Sequence, residues 1–419
     1  MNRFKLFLLL LLVVFTGFIS CNKDEEQKVN VNKEVYNLMK DWYYWYDQLP
    51  SVDPNSYSNP VELVKAIRVN PPDRWSYVTT KQELDAYYKQ AAYIGFGFGS
   101  AFTADSKLII TFVFKTSPLY LNGIDRGWEI VSIDGQTPTP DNYYSLIGPS
   151  EVGVTKTFVF KSPAGQTLQH TFSKTQIEMN TVLMDSVYTI NGKKVGYFVL
   201  KGFVEKTTTE LETVFQKFKN AGVNELICDL RYNNGGQVNV SLLLGNLIGG
   251  NIAFGRVFGQ YVHNNKHSDK NSYLYFSTNQ YSVDVQRALF ITTSSTASAS
   301  ELVINALKPF MEVILIGSKT HGKPVGMYTF QFKDPSIDWA IVPVCFSIRN
   351  ANNEGDYFEG IPVTVEAPDD VFTSFGETTE SSLNAALNYL GLGTKALKIP
   401  YVTAQPITGK GLYEEIGAW

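Results

Sequence analysis

The stretch RALFITTSSTASASELVINALKPFMEVILIGSKTHGKPVG, residues 287–326, decides the fold. It opens on Ala288-Leu289-Phe290-Ile291, an apolar run bounded by Thr and Ser. So short a run reads as a buried strand, because a helix needs more residues. Residues 294–300 follow with nothing larger than Thr. Small side chains let a backbone turn sharply and let another group approach closely. Leu302, Val303, Ala306 and Leu307 then recur at helical spacing until Pro309, which cannot continue a helical ladder. This is strand, tight turn, helix start. A hydroxyl at such a start lies where free N–H groups and the positive end of the helix dipole converge. That place suits an oxyanion. A Ser there is either an N-cap or a nucleophile, and Ser294, Ser295, Thr296 and Ser300 read as structural.

Working outward, Val313-Ile314-Leu315-Ile316-Gly317 is a second buried strand, followed by Ser318-Lys319-Thr320-His321-Gly322-Lys323-Pro324. Lys323 stands between Gly and Pro, directly after a core strand. A Lys in a turn is ordinarily solvated. Beside a packed core it is desolvated, which disfavours its charged form and makes it a base, and Ser–Lys pairs are a variant of triad logic. A third piece lies upstream, Leu226-Ile227-Cys228-Asp229-Leu230-Arg231-Tyr232-Asn233-Asn234-Gly235-Gly236. It is a strand ending in a glycine pair, either a plain turn before a helix or backbone N–H groups left open to a ligand.

Together these pieces resemble the tail-specific, or C-terminal processing, serine peptidase family. The family's Ser-Ala-Ser-Ala-Ser-Glu segment is matched by Thr296-Ala297-Ser298-Ala299-Ser300-Glu301, and its Thr-x-Gly-Lys turn by Thr320-His321-Gly322-Lys323. Lys323 follows Ser298 by 25 residues, the family's spacing, and Asp-Leu-Arg-x-Asn-x-Gly-Gly is matched from Asp229 to Gly236. The resemblance implies Ser298 as nucleophile and Lys323 as general base. It implies an oxyanion hole from Ala299 with Gly235 or Gly236, and Glu301 as a supporting residue. Two positions depart from the family: Met327 where many members carry Gln, and Pro309 where they often carry Asp. What orients Lys323 is left open by both. His321, two residues away, is the runner-up base.

The chain of 419 residues is long enough for two or three domains. A net charge of −4 gives no electrostatic footprint for nucleic acid. Cys228 and Cys345 lie in strand-like apolar runs and read as buried thiols rather than a bridge. His170, His263, His267 and His321 are scattered without metal spacing, so neither a metal nor another cofactor is expected.

Residues 1–21 read as a targeting segment: a basic start at Arg3 and Lys5, then an apolar run from Leu6 to Phe15 too short for a membrane span. Gly17-Phe18-Ile19-Ser20-Cys21 resembles a bacterial lipoprotein signal with acylation at Cys21, which implies membrane association through a lipid anchor. Asn22-Lys23-Asp24-Glu25-Glu26 then resembles a Bacteroidetes surface-export signal, or is a solvated charge run in a tether. The expected location is the cell envelope, lipid-anchored at the outer membrane, periplasmic or surface-exposed.

Residues 22–92 are expected to form the tether and a small helical domain, with Val35, Leu38, Met39, Trp42 and Trp45 on one helical face and a helix over residues 81–92. Residues 93–177 resemble a PDZ domain. Gly95, Phe96, Gly97 and Phe98 match its carboxylate-binding loop, the two Phe being groove or core, and such domains take peptides by strand addition. The other reading is a sheet packed on the peptidase with no ligand. Residues 178–395 alternate strands and helices, an α/β pattern. The resemblance makes this core a crotonase-like spiral shared with Clp-type peptidases. Pro343 marks an edge strand or a strand end, and residues 396–419 form a tail. The function implied is a serine peptidase acting on polypeptides near their C-termini. The alternative is an inactive peptide-binding surface lipoprotein.

Overall fold

The computed structural model describes residues 29–393, the short strand Ala404–Pro406 and Leu412. The expected signal segment, Cys21 and the acidic run after it lie outside the described residues. Among the described residues no helix is long and apolar enough to cross a membrane.

The centre is a six-stranded sheet in the order Val365–Glu366, Glu312–Gly317, Arg287–Thr292, Glu225–Asp229, Lys193–Leu200, Val182–Ile190. All neighbours are parallel except the last pair. The inner strands are nearly continuous apolar runs because helices cover both faces, as parallel sheets require. Val195, Ile227, Leu289 and Ile314 face one layer, closed by Leu383 and Leu387 of helix Ser381–Tyr389. Phe198, Cys228 and Phe290 face the other, closed by helices Thr207–Ala221, Val238–Gly249 and Ala299–Leu307. Cys228 and Cys345 are both buried free thiols. Every residue of helix Ala299–Leu307 is buried. Its lack of an exposed face makes it an interior helix, with Ser300, Glu301 and Asn305 hydrogen-bonded inside the protein.

Pro343 divides the apolar run 340–345 more sharply than an edge strand would. Trp339–Val342 and Val344–Arg349 are separate strands in different sheets, the first with Tyr77–Thr80 and the second with Val257–His263. Residues 22–92 therefore do not stand apart, since Tyr77–Thr80 shares a sheet with a strand of the core. The helix expected over 81–92 ends at Tyr88, and Ala92–Gly95 is a strand. That strand pairs with Thr175–Glu178, so the entry and exit of the inserted unit are clasped together.

The inserted unit is a sheet in the order Ala404–Pro406, Phe98–Thr103, Leu108–Val113, Glu129–Ile133, Thr155–Lys161, Thr167–Ser173. Its core holds Phe96, Phe98, Phe158 and Phe160, all fully buried. Of the two readings of Phe96 and Phe98, groove or core, the side chains take the core. Ring packing against Phe158, edge to face at 5.1 and 6.3 Å, holds them there. Arg126 bolts this unit to the central sheet. Its guanidinium donates to Thr111 O and the Tyr232 hydroxyl, and to Asp369, Asp370 O and Thr373 O. Arg231, fully buried at the end of the sheet, pairs with Asp229, Asp369 and Glu380 in the same cluster.

Candidate active site

Three loops leave the carboxyl ends of three adjacent parallel strands, Glu225–Asp229, Arg287–Thr292 and Glu312–Gly317. In open α/β sheets that end is where sites are built. Adjacency in the sheet is why motifs far apart in the chain meet in space.

The middle loop is tied to the first by its hydroxyls. Thr296 donates to Leu230 O at 2.8 Å and Ser300 to Asn233 O at 3.0 Å, while Thr293 donates to Arg231 O. Ala297 N–H also donates to Asn233 O. These groups are structural, as the small-residue turn implied. Ser298 differs. It stands at the N-cap position of helix Ala299–Leu307 with φ +55° and ψ −114°, not the extended backbone of an ordinary cap. A non-glycine residue held at positive φ is strained, and such strain collects at functional positions.

Gly235 and Gly236 back onto this turn. A Cβ on Gly235 would lie 2.8 Å from Ser298 Cβ and 3.1 Å from Ala299 N, and its φ is +111°. Only glycine allows that approach. Gly235 N–H donates to Asn233 Oδ1 at 2.9 Å, and its carbonyl accepts from Phe203 N–H. Gly236 forms a bridge with Phe203 through its neighbours' groups, Gly235 O and Gln237 N–H. Its own N–H takes no part in that bridge, and Gly236 lines the cleft with Ser298 and Ala299.

The third loop carries Lys323, 7 % exposed, into the wall of the same cleft. Glu301 ties it to the Ser298 turn. Its carboxylate, fully buried, accepts from Ser298 N–H at 2.9 Å, Thr320 Oγ1 at 2.5 Å, Gly322 N–H at 2.7 Å and Lys323 N–H at 2.8 Å. Burial pushes this carboxyl above its ordinary range, and the four hydrogen bonds oppose that rise. One carboxylate thus fixes the relative position of both loops.

His321 faces elsewhere. Its Nε2 accepts from Trp75 Nε1 at 3.2 Å and its Nδ1 donates to Ser294 O at 3.1 Å, an arrangement that occupies both ring nitrogens of the neutral form. Burial first, and then nearby Arg74, lower its pKa to about 4. It lines a separate pocket with Arg74, Trp75 and Ser294. Met327, standing where the family often has Gln, is an apolar part of the cleft wall.

The cleft encloses roughly 510 Å³. Leu302, Val325, Val342, Phe346 and Ile348 give its lining an apolar part, and Tyr357 lies beside Glu301, with its hydroxyl pKa raised by burial and by that carboxylate. Tyr357 was legible only as part of the segment 357–362, while Trp75 and Arg74 carried no sequence signal for their hold on His321. Gly95, Phe96, Gly97 and Phe98 do not line this cleft. Two carbonyls of their loop are tied inward, Phe96 O to the Ser117 hydroxyl and Gly97 O to Phe114 N–H. Among the described residues no group of three or more His, Cys, Asp or Glu is placed to hold a metal ion.

Residues 194–352 match the model of peptidase family S41, and residues 30–77 match that of the peptidase S41 N-terminal domain. The first of these matches takes in all three motif loops. Ser298, Lys323 and the glycine pair all fall inside it. A CtpA-like serine protease of Staphylococcus haemolyticus is 23% identical over 322 residues, covering 75% of this chain and 60% of that protein. The carboxy-terminal processing protease CtpB of Bacillus subtilis is 25% identical over 287 residues, covering 63% of this chain and 56% of that protein. The chain thus spans about 60% of the length of these curated relatives. An S41 protease structure from Bacteroides fragilis superposes with TM-score 0.69 at 25% identity, covering 85% of this chain and 97% of that one.

Proposed function

We propose that this S41 chain hydrolyses peptide bonds by a Ser298–Lys323 dyad. The observation that carries the proposal is the strained Ser298, pressed against Gly235 and sharing one cleft with Lys323, Ala299 and Gly236. In the mechanism, neutral Lys323 takes the Ser298 hydroxyl proton as the Oγ attacks a peptide carbonyl. The oxyanion of the tetrahedral intermediate accepts from Ala299 N–H, the first donor of a buried helix, and from Gly236 N–H. Gly236 is favoured over Gly235 because the N–H of Gly235 already donates to Asn233. Each such donor contributes ~3–4 kcal/mol to acyl transfer. The proton then passes from Lys323 to the leaving amine, and water repeats the sequence to release the acyl group. The apolar wall of Val325, Val342, Phe346 and Ile348 suits an apolar side chain next to the scissile bond.

In the same proposal the inserted unit is PDZ-like and presents the substrate, which is a polypeptide with an accessible C-terminus. The core is a crotonase-like, Clp-type spiral, and Cys21 is acylated to hold the enzyme at the cell envelope. The test is digestion of an unfolded protein by the chain and by its Ser298→Ala variant, with products read by mass spectrometry. Cleavage by the unaltered chain alone supports the peptidase. Cleavage by both assigns it to another group, and cleavage by neither, with binding of C-terminal peptides, moves the reading to a binding protein.

A further inference from the structure

The segment that follows the last helix returns to the inserted unit. Ala404–Pro406 pairs antiparallel with Phe98–Thr103, in the register Ala404 with Thr103, Gln405 with Phe102 and Pro406 with Ala101. It forms the outermost strand of that sheet. The pairing is a genuine ladder position rather than a glancing contact. Thr103 N–H donates to Lys107 O on the other side of its strand, so the alternation of the backbone aims the N–H and C=O of Phe102 at Gln405. A sheet edge open on this side is a template for any extended chain. Here a segment of the same chain already occupies it.

Leu412 supplies a second, independent anchor. It is 5 % exposed and belongs to an apolar cluster with Tyr77, Leu84, Tyr87, Phe112 and Val342, with Met327 packed against it. Leu84, Val342 and Met327 of that cluster also form the wall of the Ser298 cleft. One segment therefore touches both the sheet edge and the apolar cluster behind the cleft wall.

We propose that the segment bearing Ala404–Pro406 and Leu412 is an intramolecular occupant of a strand-addition edge, displaced by the extended polypeptide that the chain cleaves. The inference rests on the peptidase reading for its consequence, but not for its test. Substrate that adds a strand at Phe98–Thr103 must first remove Ala404–Pro406. A segment held on its own chain competes at a high effective concentration, so it lowers the apparent affinity for weak extended ligands.

The experiment uses the full chain carrying Ser298→Ala, with and without Gln405→Pro and Leu412→Asp. The first substitution deletes a backbone donor from the ladder and the second expels the buried side chain. The probe is a fluorescein-labelled peptide of residues 401–412, YVTAQPITGKGL, read by anisotropy. The double variant is expected to bind at least ~tenfold more tightly than its parent, because the resident competitor is gone. In the chain with Ser298 intact, the same pair lowers KM for an unfolded protein and leaves kcat unchanged. Equal binding by parent and variant, or binding by neither, overturns the proposal. The anisotropy requires no catalysis, so loss of the peptidase reading and loss of this one are separately visible. Gln405→Pro alone, with Leu412 retained, gives the same comparison where the double variant fails to fold.

Discussion

At Gly235 the site depends on an atom that is not there. The space a side chain would need is filled by Ser298 Cβ and by Ala297 O, at 2.8 and 3.0 Å from the position of a Cβ, and φ is +111°. Gly235→Ala is expected to displace the Ser298 turn rather than unfold the chain, since the sheet beneath is unaffected. A displacement of ~1 Å in a reacting group costs about 10²-fold in rate. The expected result is a kcat lowered by that order with KM little changed, measured by steady-state hydrolysis of a chromogenic peptide. An unchanged kcat would remove Gly235 from the site. This residue was legible in the sequence as half of a glycine pair. Which of the two carries the free N–H was not, because the answer depends on Asn233 folding back onto Gly235.

The strand Lys193–Leu200 hands over to Lys201, a buried lysine that no motif signalled. It is 3 % exposed, with Nζ 3.5 Å from Asn234 Oδ1 and 5.7 Å from the centre of the Phe112 ring. Burial lowers its pKa from 10.5 to about 7. Between those values the unfolded chain binds a proton that the folded chain does not, so this residue makes stability rise with pH from about 7 to 10.5. Below that window the folded chain carries the desolvated ammonium in full. Lys201→Met is therefore expected to stabilise most below pH 7 and not at all above 10.5, with each pH unit of displacement corresponding to about 1.4 kcal/mol. Thermal melts of both chains across that range check it, and a pH-independent difference would refute it. The element itself was readable as an apolar strand. The burial of Lys201 was not, because it is imposed by Phe112 from the inserted unit. The helix expected over 81–92 starts at Lys81 as expected but stops short at Tyr88 for a related reason: pairing with Thr175–Glu178 draws Ala92–Gly95 into a strand.

On the scale of the molecule, the inserted unit and the central sheet are joined by buried charge. Arg126, 7 % exposed, meets Asp369 at 3.2 Å and bonds three carbonyls besides. Removing it leaves the three carbonyls without this donor in a buried joint and leaves Asp369 to Arg231 and Tyr232 alone, and breaking one side of a buried pair costs about 3–5 kcal/mol. Arg126→Ala is expected to lower the unfolding free energy by that order in urea melts, while Arg126→Lys recovers part of it. A loss below 1 kcal/mol, the range of surface pairs, would show that the joint is solvated. Nothing in residues 123–135 announced this joint, since its partners beyond the inserted unit are Tyr232 and residues 369–373, all distant in the chain. The meeting of the three motif loops was legible by contrast, because each follows an apolar run that could only be a core strand. The most direct test of that convergence is the kcat/KM of Lys323→Met beside that of His321→Gln, on one peptide substrate. Loss of a positioned general base removes ~10²–10⁴-fold in rate. The account predicts a loss of that size for Lys323→Met and near-parental activity for His321→Gln, whose ring nitrogens are bound to Trp75 and Ser294. The reverse pattern would contradict the dyad.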